Sequence, residues 1–196
     1  MIEARVVEPQ AIEYPRVSKH PSLPWPLVYP SYRSRMEQPQ PMIYFDIAFD
    51  PRIDIYSVAT WDRYNGKRPL SRADGDLPVS MTDMIIIFSP FADLWQINVH
   101  RSRGIRCIDI FRAIYDNFAE IVTRKELAYF GEDYIDKCQK IFRQRCRDSP
   151  GLSEYNRKCG MRRVDLLNGQ RIFKGLRPNQ NGPANSWILD LETPTK

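Results

Sequence analysis

Three stretches of strict two-residue alternation do most to limit how this chain can fold. In MIYFDIAF, starting at residue 42, Ile43, Phe45 and Ile47 share one side while Tyr44, Asp46 and Ala48 take the other. In LWQINVH, 94–100, Trp95, Ile97 and Val99 oppose Gln96, Asn98 and His100. In SWILDL, 186–191, Trp187, Leu189 and Leu191 align. Successive side chains of a strand point to opposite faces, so a period of two describes a strand buried on one side. With the apolar run MIIIF, 84–88, these stretches predict a sheet with one wet face, a condition antiparallel sheets meet readily.

A different period occupies the middle of the chain. In IRCIDIFRAIYDNFAEIVTRKE, 105–126, Cys107, Ile110, Phe111, Ile114, Phe118 and Ile121 recur at spacings of three and four. Arg106, Asp109, Arg112, Asp116, Asn117 and Glu120 fill the remainder, which predicts a core-facing helix with a solvated back. DYIDKCQKIFRQRC predicts a second helix, with Tyr134, Ile135, Cys138, Ile141 and Phe142 on one side and Arg145 at its margin, ending by Asp148 to Gly151. Strands together with helices define an α+β class: an antiparallel or mixed sheet packed on one face by two helices.

The segment GMRRVDLLNGQRIFKGL, 160–176, is expected to be a hairpin. Asn168-Gly169 lies between apolar runs, and a two-residue type I′ turn needs positive φ at both positions. The competing reading is a short helix closed by Gly169.

Eight of the 16 prolines fall in residues 1–41. Proline lacks the backbone donor and biases its predecessor toward extended geometry, so this segment predicts an extended arm. Trp25, Leu27, Val28, Tyr29 and Tyr32 are too apolar for a solvated linker, and the part after Pro21 is expected to lie on the body. The chain thus divides into an arm over 1–41, one domain over 42–191 and a tail over 192–196; 196 residues suit one domain better than two.

The order of landmarks ATWDRYNGKRPLSRADGDLP, LWQINVHRSRGI, DIFRAIYDNF, GMRRVDLLNGQRIFKGL and SWILDL resembles an uncharacterised fungal (basidiomycete) domain family of unknown function, from about residue 42 to 191. Trp95, Ile114 with Tyr115, the run from Arg163 to Leu167, Phe173, Gly175 with Leu176, and Trp187 carry the likeness. Most are apolar or turn-forming, so the resemblance implies a single α+β unit in an intracellular fungal setting, with Trp95, Ile114, Phe173 and Trp187 in its core. It assigns no catalytic residue.

Few chemistries find support in the residues themselves. The histidines are His20, in the arm, and His100, at a strand end; a dyad of His100 with Cys107 has no local signature. Gaps of 31, 8 and 13 residues between Cys107, Cys138, Cys146 and Cys159 lack paired zinc spacings, so no metal is expected and the cysteines read as buried thiols. Asp74 and Asp76 around Gly75 read as a turn. No phosphate-binding glycine pattern is present, and no cofactor is expected. MIEARVVEPQ has no apolar core of a secretory signal, and no apolar run reaches the roughly 20 residues of a membrane span, so an intracellular protein without a membrane partner is expected.

The net charge of +5 is unevenly spread: residues 101–177 hold 18 Lys/Arg against 10 Asp/Glu, whereas residues 1–100 hold 10 against 12. Within 139–163, Arg143, Arg147, Arg162 and Arg163 are the candidate anion-binding residues, with Tyr155 available for stacking. Two functions are therefore weighed. The leading one is a non-enzymatic interaction or regulatory module that recognises a protein partner; the alternative is nucleic-acid or polyanion binding through 139–163. An enzyme of unrecognised type ranks third.

Overall fold

A computed structural model of the chain describes residues 20–28, 42–53, 57–62, 66–148 and 152–194. The expected arm outside 20–28, with Tyr29 and Tyr32, lies outside these residues, as do positions 149–151 of the expected helix stop. The class is α+β. Nine strands form three sheets: β1 (Met42–Phe45), β2 (Val58–Asp62) and β3 (Gly66–Pro69) make one antiparallel meander. The short strands β4 (Pro78–Val79) and β7 (Ile105–Arg106) pair with each other. The third sheet has the order β6-β5-β9-β8, comprising β5 (Asp83–Ile87), β6 (Gln96–His100), β8 (Ile172–Pro178) and β9 (Ser186–Glu192). It is mixed, because β5 runs parallel to β9 while the other two pairings are antiparallel.

The alternating stretches at 94–100 and 186–191 keep their registers, whereas the one from residue 42 keeps it only to Phe45. There β1 ends, and Asp46 and Ala48, expected on the wet face, are buried because the chain turns into the body to bridge β8. Trp95, Ile97 and Val99 are buried while Gln96, Asn98 and His100 are exposed; Trp187 and Leu189 are buried and Leu191 is half-buried. The sheets join at Asp46, whose backbone bridges Ile172 of β8.

Five helices are described: α1 (Arg72–Gly75), α2 (Cys107–Ala119), α3 (Arg124–Phe130), α4 (Glu132–Asp148) and α5 (Ser153–Cys159). Cys107, Ile110, Phe111, Ile114 and Phe118 of α2 face the core. Phe111 meets Phe45 and Phe173 at centroid distances of 5.2 and 5.4 Å, and Phe118 meets Trp95 at 6.0 Å. One helix face thereby welds the two larger sheets together.

Three further expectations are corrected. The long helix over 105–126 stops at Ala119, where Glu120 turns extended, and Ile121 is exposed instead of joining the core. A new helix, α3, starts because Thr123 and Glu126 form a reciprocal capping box. The segment 160–176 is no hairpin: Arg163–Leu166 is a 3-10 turn, and a strand begins only at Ile172. Asn168 and Gly169 do take positive φ, 52° and 82°, in a turn closed by Gln170 N–H on Leu167 C=O. What defeats the first hairpin limb is burial on all sides, since Val164, Asp165, Leu166 and Leu167 are all buried and a strand limb would turn alternate members outward. The turn read at Asp74–Asp76 is the single-turn α1, capped by Ser71 Oγ accepting from Asp74 N–H at 3.1 Å.

The described part of the arm lies on the body, as its apolar content predicts. Leu23 and Leu27 are buried, and Val28 bridges Leu176 in parallel, covering the β8 edge. An edge so covered no longer offers a template for another strand.

Two buried carboxylates make opposite contributions to stability against pH. Burial alone would raise the pKa of Glu126, but hydrogen bonds from Thr123, Trp95 and Arg163 outweigh it and hold the group at about 2 instead of 4.5. Its contribution is complete above pH 4.5 and is lost as pH falls toward 2. Asp46 is lifted from 3.8 to about 6, by burial before all else. Arg171 Nε lies 3.0 Å from Asp46 Oδ2 but is not aligned to donate, so it offsets burial only in part. Ionising Asp46 therefore weakens the fold as pH rises from 3.8 to about 6. Each effect is on the order of 3 kcal/mol. Urea midpoints measured across pH should show Asp46→Asn flattening the profile between pH 4 and 6 while leaving the acid limb below pH 4.5 in place; an unchanged upper slope would refute this assignment.

Candidate functional site

Many arginines of the described residues, among them Arg52, Arg101, Arg106, Arg145, Arg163 and Arg171, are held by the chain's own carboxylates, which narrows the set free for a ligand. Arg145 is buried and donates from Nε and Nη2 to Asp165 at 2.7 and 2.8 Å. Arg163 donates from Nε to Glu126 Oε1 at 2.7 Å, pairs through Nη1 with Glu120 at 2.7 Å, and lies over the Trp95 ring. Arg162 caps the 3-10 turn, its backbone N–H donating to Asp165 at 2.8 Å, and its Nη2 reaches Asn156 at 3.3 Å. Of the four candidate anion-binding residues, Arg162 and Arg163 are thus half-buried and engaged within the fold. Arg143 and Arg147 lie one turn apart on α4, both exposed, Arg147 donating to Gln144.

A concavity among the described residues lies beside α2. A groove of about 490 Å³ is lined by Pro51, Val58, Pro69, Leu70, Ile108 and Gly75 among its apolar members and by Ser71, Arg72, Asp76, Arg106 and Arg112 among its polar ones. This volume is in the range of small-ligand sites, which typically run about 300–1,000 Å³. The meander supplies one wall, with Leu70 N–H donating to Val58 C=O at 3.0 Å to fix the exit of β3. The capped turn of α1 supplies the second. The third is α2, where Ile108 and Arg112, four residues apart, present neighbouring side chains.

The charges of the groove are unequal. Arg106 is spent: its Nη1 donates to Asp76 at 2.8 Å, and its Nε and Nη2 donate to Asp109 at 3.1 and 3.0 Å. Arg72, on the rim, lies 3.4 Å from Asp76. Arg112 is different. Its Nε is shut off from solvent without a hydrogen-bond partner, and the guanidinium makes no hydrogen bond or ion pair among the described residues. The acids one helical turn away are already taken, Asp109 by Arg101 and Arg106 and Asp116 by Arg52. A buried donor left unmatched costs about 1–3 kcal/mol, and it is the outer Nη groups of the same guanidinium, unbonded among the described residues and not shut off from solvent, that an acceptor in the groove can reach.

The groove, the meander and α2 all fall within a matched family model: a family of unknown function, DUF6699, covers residues 43–183. The chain belongs to the DUF6699 family. No curated protein and no solved structure matches it.

The remaining reactive groups of this DUF6699 chain are held apart. Cys107 is buried, and burial pushes its thiol up to about 12, so at neutral pH it is protonated and a poor nucleophile. His100 Nδ1 lies 2.6 Å from Asp83 Oδ1 on an exposed strand pair. Among the described residues no three His, Cys, Asp or Glu side chains converge to hold a metal, and no helix is long and apolar enough to cross a membrane. Arg112 was visible in the sequence only as one of six polar positions on the back of a helix. Its own local pattern did not separate it from the others, because what leaves it unpaired is the capture of its acidic neighbours, Asp109 by Arg101 and Arg106 just upstream and Asp116 by the distant Arg52.

Proposed function

We propose that this DUF6699 chain is a non-enzymatic interaction module, intracellular and of fungal setting, that recognises a protein partner. The recognition unit spans 42–191, with the proline-rich arm over 1–41 and the tail over 192–196 as appendages. The observation that carries the reading is the unmatched Arg112 guanidinium on a groove whose other walls are mainly apolar. Free thiols at Cys107, Cys138, Cys146 and Cys159 accord with a reducing compartment. The test is affinity purification from the native organism, comparing nuclease-treated and untreated lysates. A protein recovered equally from both supports the module; recovery that disappears with nuclease sinks it in favour of polyanion binding.

That second reading retains a specific basis in the exposed cations of the 139–163 tract, Lys140, Arg143, Arg147, Arg157 and Lys158 on α4 and α5. The two exposed arginines test it best, since replacing Arg162 or Arg163 disturbs internal pairing. If nucleic acid is the ligand, Arg143→Gln with Arg147→Gln weakens binding to unrelated sequences alike and lowers the salt slope by about 0.7–0.9 per lost phosphate contact. Under the leading reading, labelled single- and double-stranded nucleic acid titrated at two salt concentrations shows no binding at the higher one.

A further inference from the structure

We propose that the groove beside α2 takes a single carboxylate, the side chain of a glutamate or aspartate flanked by aliphatic residues in an extended segment of the partner. The proposal rests on the reading of the chain as a protein-recognition module and names what its groove selects.

The charge balance picks a monoanion. Of the cationic side chains in the walls, Arg106 is committed to Asp76 and Asp109, and Arg72 sits beside Asp76. Only Arg112 among the lining cations lacks a described counter-ion. One uncommitted guanidinium matches one carboxylate, and its planar fork suits that acceptor. A phosphate dianion would bring a second charge next to Asp76 with no further free cation to meet it.

The walls select the neighbours of that acid. Pro51, Val58, Pro69, Leu70 and Ile108 line the same groove as Arg112, so an acid with an aliphatic neighbour buries apolar surface beside its charge where a free carboxylate ion does not. The apolar lining also lowers the local dielectric and strengthens the charge-assisted bond. Arg72 is fully open on the rim, its side chain 96% exposed, so it can steer an acidic segment inward without being part of the seat.

The full chain is titrated with acetyl-Leu-Glu-Leu-amide, with acetyl-Leu-Gln-Leu-amide as a neutral isostere and acetyl-Leu-phosphoSer-Leu-amide as a dianion. Binding is followed by calorimetry and by the side-chain Nε–H resonance of Arg112 in a nitrogen-correlated NMR spectrum. The Glu peptide is expected to bind at least roughly tenfold tighter than the Gln peptide and to shift the Arg112 signal saturably. Arg112→Met, which keeps the stem, should erase that difference. Arg72→Glu, at an exposed rim position and checked for folding by circular dichroism, should weaken the Glu peptide and leave the Gln peptide unaffected. Equal affinity for Glu and Gln peptides, tighter binding of the phosphopeptide, or an unmoved Arg112 signal overturns the proposal, and the last holds even if Arg112→Met fails to fold. Failure of the underlying reading looks different. A peptide that binds through Arg112 while native purification yields no protein leaves the seat and removes the module, whereas a partner captured equally by wild type and Arg112→Met keeps the module and removes the seat.

Discussion

Trp95→Ala is expected to lower the unfolding free energy by about 3–5 kcal/mol, enough to leave much of the protein unfolded at physiological temperature. Trp95 is 2% exposed and lies against Phe91, Phe118 and Phe130 at centroid distances of 5.1, 6.0 and 5.8 Å. Its indole Nε1 also donates to Glu126 Oε1 at 2.6 Å, the same oxygen that receives Arg163 Nε. Truncation opens a cavity among aromatic rings and at once strips a donor from a buried carboxylate. Trp187 is equally buried, but its Nε1 has no hydrogen-bond partner among the described residues. The phenylalanine variants therefore separate the two contributions: Trp95→Phe should cost about 1–3 kcal/mol more than Trp187→Phe, the value of a hydrogen bond to a charged acceptor. Urea unfolding of the three variants measures this, and indistinguishable phenylalanine variants would remove Glu126 as the partner of Trp95.

Asp165→Ala is expected to cost a similar amount, about 3–5 kcal/mol, through charge instead of volume. Asp165 is 1% exposed, receives two bonds from Arg145, and also accepts the Arg162 backbone N–H that opens the 3-10 turn. Without it, the Arg145 guanidinium stays buried beside an empty site, and α4 loses its anchor to the turn. Arg145→Met alone should likewise destabilise, leaving a buried carboxylate with one donor. Removing both charges together in an Arg145→Met, Asp165→Leu variant should cost clearly less than the two single changes added, because no uncompensated charge remains. Thermal melts of the three variants form the cycle. Additive losses would mean that the two side chains act independently.

The parts of the fold legible in the sequence are those governed by neighbours a few residues away. Alternation along 94–100 and 186–191 placed Trp95, Ile97, Val99, Trp187 and Leu189 on the inner side, where the structure has them. Helical spacing likewise placed Cys107, Ile110, Phe111, Ile114 and Phe118. The end of α2 was legible too, though in a different code: Thr123 and Glu126 spell a capping box, which competes with the apolar period that continues through Ile121. The second and third strands of the meander carry no comparable signal, since β3 is Gly-Lys-Arg-Pro and depends on β2 for every ladder bond it makes. The segment 160–176 misled because an Asn-Gly turn specifies the φ angles of two residues and says nothing about what precedes them. There, the burial of Asp165 against Arg145, twenty positions away in sequence, decided the backbone.

Charge shows the same division most sharply. The sequence by itself determined that an α+β domain would form, which faces of its main strands and helices would be buried, and that its cations would concentrate after residue 100. Tertiary structure alone decided which cations remain available. Arg163 belongs to the basic tract yet is held by Glu120 and Glu126, whereas Arg112 lies among acids on its own helix yet is unmatched among the described residues, on a groove wall. Apolar periodicity repeats with the geometry of one element and so survives in the linear order. The partner of a guanidinium is whichever carboxylate lies within about 3 Å after the elements pack, and that distance is set jointly by side chains scattered along the chain.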